Sequence, residues 1–306
     1  MRNSCLLLLA AALLPVGVVP AASPEPTPEQ VEARMGRAAE QLAKRADADS
    51  QAAAGLLRIF RQRDQALRQI AQATLKAPER ADLAWLHIQL CPTDPDCDPE
   101  PLEARLRALD GKNGAGWLGA LTRAGNRGDE EAKTAALAAI GRSERVDTYW
   151  TTLVARLTRQ VASTEAASLS DTETYVIGAL AAVAIPAYQA VSNACKGERL
   201  LRDDGVSICR GVAKSFMKGD TGIAEMVGVA IAKRAWPESS PDWTAADEAR
   251  RTWDYRVRTA GSLDGWGEAH PSELLALHER HHREQDVMGA MLTAAGRNPD
   301  PPAVGR

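Results

Sequence analysis

Aromatic residues are scarce in this sequence: two Phe and four Tyr stand beside seven Trp in 306 residues. β-Branched clusters are sparse too, and Ala, Leu, Arg, Glu and Gln dominate, which argues against a strand-rich fold. Strong charge of either sign is missing. The formal net charge is −3, so there is no electrostatic footprint for nucleic acid or an anionic membrane surface. No apolar run reaches the roughly 20 residues of a comfortable membrane span, and no span is expected in the mature chain. Neither a G-x-S-x-G nucleophile elbow nor a P-loop occurs. No dinucleotide-binding unit is expected, and no cofactor. With 45% hydrophobic and 25% charged residues, what is there is the composition of a globular, all-α protein.

The first residues point to export. Arg2 precedes the uncharged stretch "CLLLLAAALLPVGVV", and "VPAAS" offers small residues for signal peptidase, with cleavage after Ala21 or Ala22. A retained anchor is the alternative. Cys5 lies before the apolar core, not at a cleavage point, so lipidation is not expected. Residues 1–21 are thus read as a secretory signal peptide and 22–29 as a Pro-rich lead-in, with the mature protein in the periplasm or secreted. In an oxidising compartment the remaining cysteines, Cys91, Cys97, Cys195 and Cys209, favour disulfides. Four cysteines allow three pairings. The local one joins Cys91 to Cys97 and Cys195 to Cys209. A zinc site competes, but C-x5-C and C-x13-C are not its usual spacings.

Helical periodicity begins after the lead-in. Val31, Met35, Leu42 and Ala46 form one apolar seam, and Leu56, Phe60, Leu67 and Ile70 a second. The region 30–76 is read as a helical hairpin. Arg58, Arg61, Arg63 and Arg68 between the second set read as a solvated face. Residues 77–162 carry a repeat signal: Trp85, Trp117 and Trp150 recur at intervals of 32 and 33. Each unit reads as helix, polar turn, helix, with Gly128 and Asp129 as C-terminal and N-cap signals. Residues 163–296 read as further helical hairpins packed on the repeats, and 297–306 as a disordered tail. Within "SFMKGDTG", Gly219-Asp220 repeats the Gly128-Asp129 punctuation.

A period near 33 built from helical pairs resembles tetratricopeptide repeats. The resemblance covers about residues 80–162 and implies stacked antiparallel hairpins forming a solenoid without β-sheet. The sequence departs from the repeat at Gln89, Leu121 and Val154, where its glycine belongs, and at Pro92, Ala124 and Leu157, where its second aromatic belongs. A second stretch, "VIGALAAVAIPAYQAV" at 176–191, resembles the N-terminal helix of type IV pilins. It lies deep in the chain without their processing site and reads as a buried Ala-rich helix bent by Pro186.

One catalytic motif is spelled out. In "LHERHHREQ", His278-Glu279-x-x-His282 matches the H-E-x-x-H of zinc peptidases, in which two histidines one turn apart hold the metal and the Glu acts as general base. A helix running from Ser272 to Ala295 would put His281 inside its apolar arc, with His278 at the edge and His282 beyond. No third ligand and no substrate-holding strand accompany the motif, so His278 and His282 are metal candidates only and no catalytic residue is assigned. Asp94, Asp96 and Asp98 alternate in a loop lacking the glycine and terminal Glu of an EF-hand, and read as a solvated turn. The expected function is a non-enzymatic, exported repeat protein that binds a partner protein or peptide. The tryptophans form its core, and polar neighbours such as His87 and Arg123 make contact. Two alternatives stand beside it. One is an immunity or inhibitor protein against an effector delivered to the periplasm, and the other is a zinc-dependent hydrolase using His278, Glu279 and His282.

Overall fold

The computed structural model describes residues 27–91, 97–166, 168–184, 188–263 and 265–302. Among them the protein is all-α, and its only β pairing is an isolated bridge between Asn113 and Arg145. Helix α1 (Pro28–Ala43) starts with a capping box. Thr27 accepts from the Gln30 amide, Gln30 returns to the Thr27 amide, and Pro28 occupies the first turn. Asp47 caps α2 (Ala48–Arg58), and α3 (Arg63–Lys76) folds back on it. The region 28–76 is therefore three helices and not two. The seam drawn through Leu56, Phe60, Leu67 and Ile70 assumed a continuous helix, but the chain turns between Arg58 and Arg63. Phe60 is left 61% exposed while the other three are buried.

The repeat region contains α4 (Ala81–Leu90), α5 (Pro99–Leu109), a 3₁₀ turn (Gly114–Trp117), α6 (Leu118–Arg127), α7 (Glu130–Arg142) and α8 (Trp150–Ala162). Gly128 closes α6 with φ +68°, a left-handed conformation that glycine tolerates, and Asp129 caps α7 by accepting from Ala132 N. The three tryptophans do not occupy equivalent positions. Trp85 is buried within α4, Trp117 ends the 3₁₀ turn beneath the Arg107 guanidinium (4.5 Å), and Trp150 is the first residue of α8. Gly114-Ala-Gly116-Trp-Leu-Gly119 does spell G-x-G-x-x-G. It forms the 3₁₀ turn and the start of α6 with no strand before it, so it does not build a dinucleotide-binding unit.

Beyond α8 come α9 (Leu169–Ala184), α10 (Gln189–Ala194), a 3₁₀ turn (Gly197–Leu201), α11 (Asp203–Met217), α12 (Gly222–Ala235), α13 (Pro241–Ala260), the single turn α14 (Trp266–Ala269), α15 (Pro271–Arg280) and α16 (Glu284–Ala294). Both local disulfides are present, Cys91–Cys97 and Cys195–Cys209. α7 and α11 cross at backbone contact. A Cβ on Gly211 would meet the carbonyl oxygen of Gly141 at 2.6 Å, so any side chain there would force the helices apart. α9 buries Val176, Ala179 and Leu180 but exposes Gly178 and Ala182, so the Ala-rich helix has one open face. Pro186, Asp94 and Asp96 lie outside the described residues. Residues expected to begin a disordered tail are held on α13, where Arg256 donates to the Pro299 carbonyl (2.9 Å) and pairs with Asp300 (3.2 Å).

One buried apolar cluster runs from Met35 on α1 to Ala246 on α13. Burying each leucine of that cluster contributes about 1.5–3 kcal/mol. No described helix is long and apolar enough to cross a membrane.

Candidate functional site

Four connections meet at one point: α5 to the 3₁₀ turn, α7 to α8, α11 to α12, and α15 to α16. Asn113, from the first, fixes the second. Its carbonyl oxygen accepts from Asp147 N (2.9 Å), and its amide donates to Asp147 O (2.8 Å) and to the Tyr149 hydroxyl oxygen (3.1 Å). Tyr149 adopts φ +59°, ψ +29°, a left-handed conformation uncommon outside glycine and costly for a bulky residue. Its hydroxyl donates to Asp110 (2.8 Å), which also pairs with Arg145 (2.7 Å). The strained backbone turns the Thr148, Tyr149 and Trp150 amides inward, onto two buried carboxylates.

Asp220 is the deeper of the two. It accepts from Thr148 N (2.9 Å), Trp150 N (2.8 Å) and the Thr148 hydroxyl (3.2 Å). Asp147 accepts from Tyr149 N (2.7 Å), Arg145 Nε (3.3 Å) and His282 Nε2 (2.7 Å). The two carboxyl groups are hydrogen-bonding neighbours. Burial, then the adjacent Asp147, raises the Asp220 pKa well above the carboxylate range. Burial also works against the Asp147 anion, but His282 and the amide donors hold its pKa below the usual value. The pair thus keeps one proton, on Asp220. Its bond to Asp147 raises the His282 pKa, which favours the protonated ring.

His282 reaches solvent in a cleft of about 300 Å³ between α8 and α15, where Thr152, Arg156, His278 and Glu279 also lie. A second cleft of about 390 Å³ adjoins it, sharing Ala155, Arg156 and Glu279 and adding Asp49, Arg159 and Gln160. Glu279 is paired with Arg159. The sequence motif is broken here. α15 ends at Arg280, and His281 and His282 sit in an extended link before α16. The single helix expected from Ser272 to Ala295 is two, and His278, not His281, is the buried histidine. Burial pushes the His278 pKa down to about 4, and its Nδ1 has no partner. Among the described residues no three His, Cys, Asp or Glu side chains are grouped so as to hold a metal ion.

The contact candidates lie elsewhere. His87 is half-buried on α4 with its Nδ1 unpartnered, and burial lowers its pKa. Arg123 makes a two-pronged pair with buried Glu103 (2.6 and 2.7 Å). Neither reaches the α8–α15 cleft. Comparison with family models, curated proteins and solved structures gives no match. Asp147 and Tyr149 carried no signal in the sequence. Asp220 carried a misleading one, since the N-cap of α12 is Thr221, which accepts from Ala224 N (3.1 Å).

Proposed function

We propose that this is an exported, non-enzymatic helical binding protein whose partner, a protein or peptide, docks along α8 and α15. The two adjoining clefts carry the reading. They make one polar groove with charges of both signs, Asp49 and Glu279 among Arg156 and Arg159, with the His282 ring beside them. That pattern suits an extended polar chain and selects partners by charge complementarity. A packed array of helical hairpins, related to the tetratricopeptide plan in arrangement only, supplies a rigid support for it. The two disulfides support an oxidising compartment. The Thr151 hydroxyl is not poised to give its proton to the His282 ring, because it donates to the His282 carbonyl (2.9 Å). A zinc-dependent hydrolase is disfavoured because Asp147 occupies His282 Nε2 and Arg159 occupies Glu279. An immunity protein is the more specific form of the binding reading.

The test is selection of peptides from a random displayed library on the mature chain, followed by Arg156→Glu and His87→Ala variants. Arg156→Glu is expected to weaken selected peptides about tenfold, equivalent to about 1.4 kcal/mol, with His87→Ala neutral. Peptides indifferent to Arg156→Glu but lost on His87→Ala would move the surface to α4.

A further inference from the structure

A third cavity lies on the other side of α15, between α9 and the turn joining α13 to α15. It is open, about 250 Å³, and has apolar walls from Ile177, Leu263, Leu274 and Met291, with the Trp266 indole among them. Glu173 also lines it. Glu173 is 3% exposed, and among the described residues its carboxyl has no hydrogen-bond or ion-pair partner. A buried carboxyl without a partner is costly, and most such groups in folded proteins are paired. Oε1 is sealed from solvent and unpartnered, which leaves Oε2 as the edge that faces the cavity.

We propose that this cavity binds a primary alkylammonium ion, with Glu173 as counter-ion and Trp266 with the apolar walls enclosing the alkyl stem. A guanidinium fits less well, because its fork seeks both oxygens of one carboxylate and Glu173 offers one; Glu268, the other carboxylate of the lining, adds charge of the same sign. The compact ammonium needs one, and an aromatic face in a partly dry site adds to its attraction. A neutral ligand of the same shape would fill the walls and leave the acid unpaired. Burial pushes the Glu173 pKa up to about 7, and among the described residues no side chain serves as its counter-ion. The cation has two sources of the same chemistry, a free small amine or a lysine side chain of a partner. This site is separate from the α8–α15 groove and does not depend on it.

The experiment titrates the full mature chain at pH 8 with n-butylammonium chloride, with 1-butanol as the neutral control and Nα-acetyl-lysine methylamide as the side-chain probe. Calorimetry and ligand-observed NMR provide the readout. Butylammonium is expected to saturate in about the millimolar range. Glu173→Gln should weaken it at least about tenfold, butanol should not saturate, and affinity should fall below pH 7 as the acid takes up its proton. Arg156→Glu should leave all of this unchanged. Comparable binding of the lysine probe assigns the source to a partner side chain; binding of butylammonium alone assigns it to a free amine. No saturation by about 100 mM, two decades past the expected range, would overturn the proposal. So would equal binding by Glu173→Gln, provided its circular dichroism and melting profile are those of a folded protein.

Discussion

Glu103 on α5 and Glu173 on α9 are buried to the same degree, at 2% and 3% exposure, and are opposite in every other respect. Glu103 is gripped by both prongs of Arg123, with Arg107 3.7 Å away. Glu173 has an apolar wall and a cavity. Burial by itself therefore says nothing about what a carboxylate does; the partner count does. Glu103 fastens α5 to α6, and its chemistry is used up within the fold. Glu173 retains an unspent preference for a cation, and this marks its cavity as a place for a ligand.

The largest effect should come from making Glu103 resemble Glu173. Arg123→Ala strands a buried charge and should cost about 3–5 kcal/mol in urea unfolding. A loss below about 1 kcal/mol would show that Arg107 or water suffices as partner. The reverse change, Glu173→Gln, should stabilise the ligand-free protein at pH 8. In the folded chain Glu173 keeps its proton up to about pH 7, above its range when unfolded. Its contribution is therefore intact below the ordinary carboxylate range and lost as pH rises through about 7. The gain at pH 8 should be roughly 3 kcal/mol, read from denaturation midpoints at pH 5 and pH 8.

His278 runs the opposite way. Its pKa is depressed to about 4, so its contribution is present above 6.5 and lost as pH falls toward 4. Between about pH 4.5 and 6.5 the two slopes oppose each other, and each single variant should uncover the other. His278→Gln should remove about 2 kcal/mol of acid sensitivity at pH 5. A wild-type profile unchanged by either substitution would break the comparison. The smallest effect is Arg107→Met, which removes the cation over Trp117 and a bond to the Gly116 carbonyl (2.9 Å) while leaving Arg123 on Glu103. It should cost about 1 kcal/mol.

The all-α class was legible because it rests on composition and periodicity, which are local. Gly128 and Asp129 were legible for the same reason: a left-handed C-terminus and an N-cap announce themselves by residue type. The two disulfides followed from spacing. What failed was continuity. Phe60 and His281 were placed by projecting one helix through a break that no proline or glycine marks. The deepest site features were not legible at all. Asp147, Tyr149 and Asp220 come together only because four separate connections converge, and no window of sequence contains that convergence. Asp220 even borrowed the look of a cap. Glu173 was invisible for a subtler reason: a glutamate on a helix normally faces water, and its burial is set by how α9 packs in three dimensions.

The bond from Thr151 to the His282 carbonyl joins residues 131 positions apart, and those from Thr148 and Trp150 to Asp220 span 72 and 70. Contacts of such long range close after neighbouring helices have paired, since the loop entropy between them must be overcome first. A chain made from its amino end can assemble its early hairpins while Asp147 still lacks His282. The link between α15 and α16 is then the last clasp to shut. A single proteolytic cut there would loosen the bonds from His282 to Asp147 and from Arg283 to the Gly219 carbonyl, while Asn113 and Asp110 still hold Tyr149.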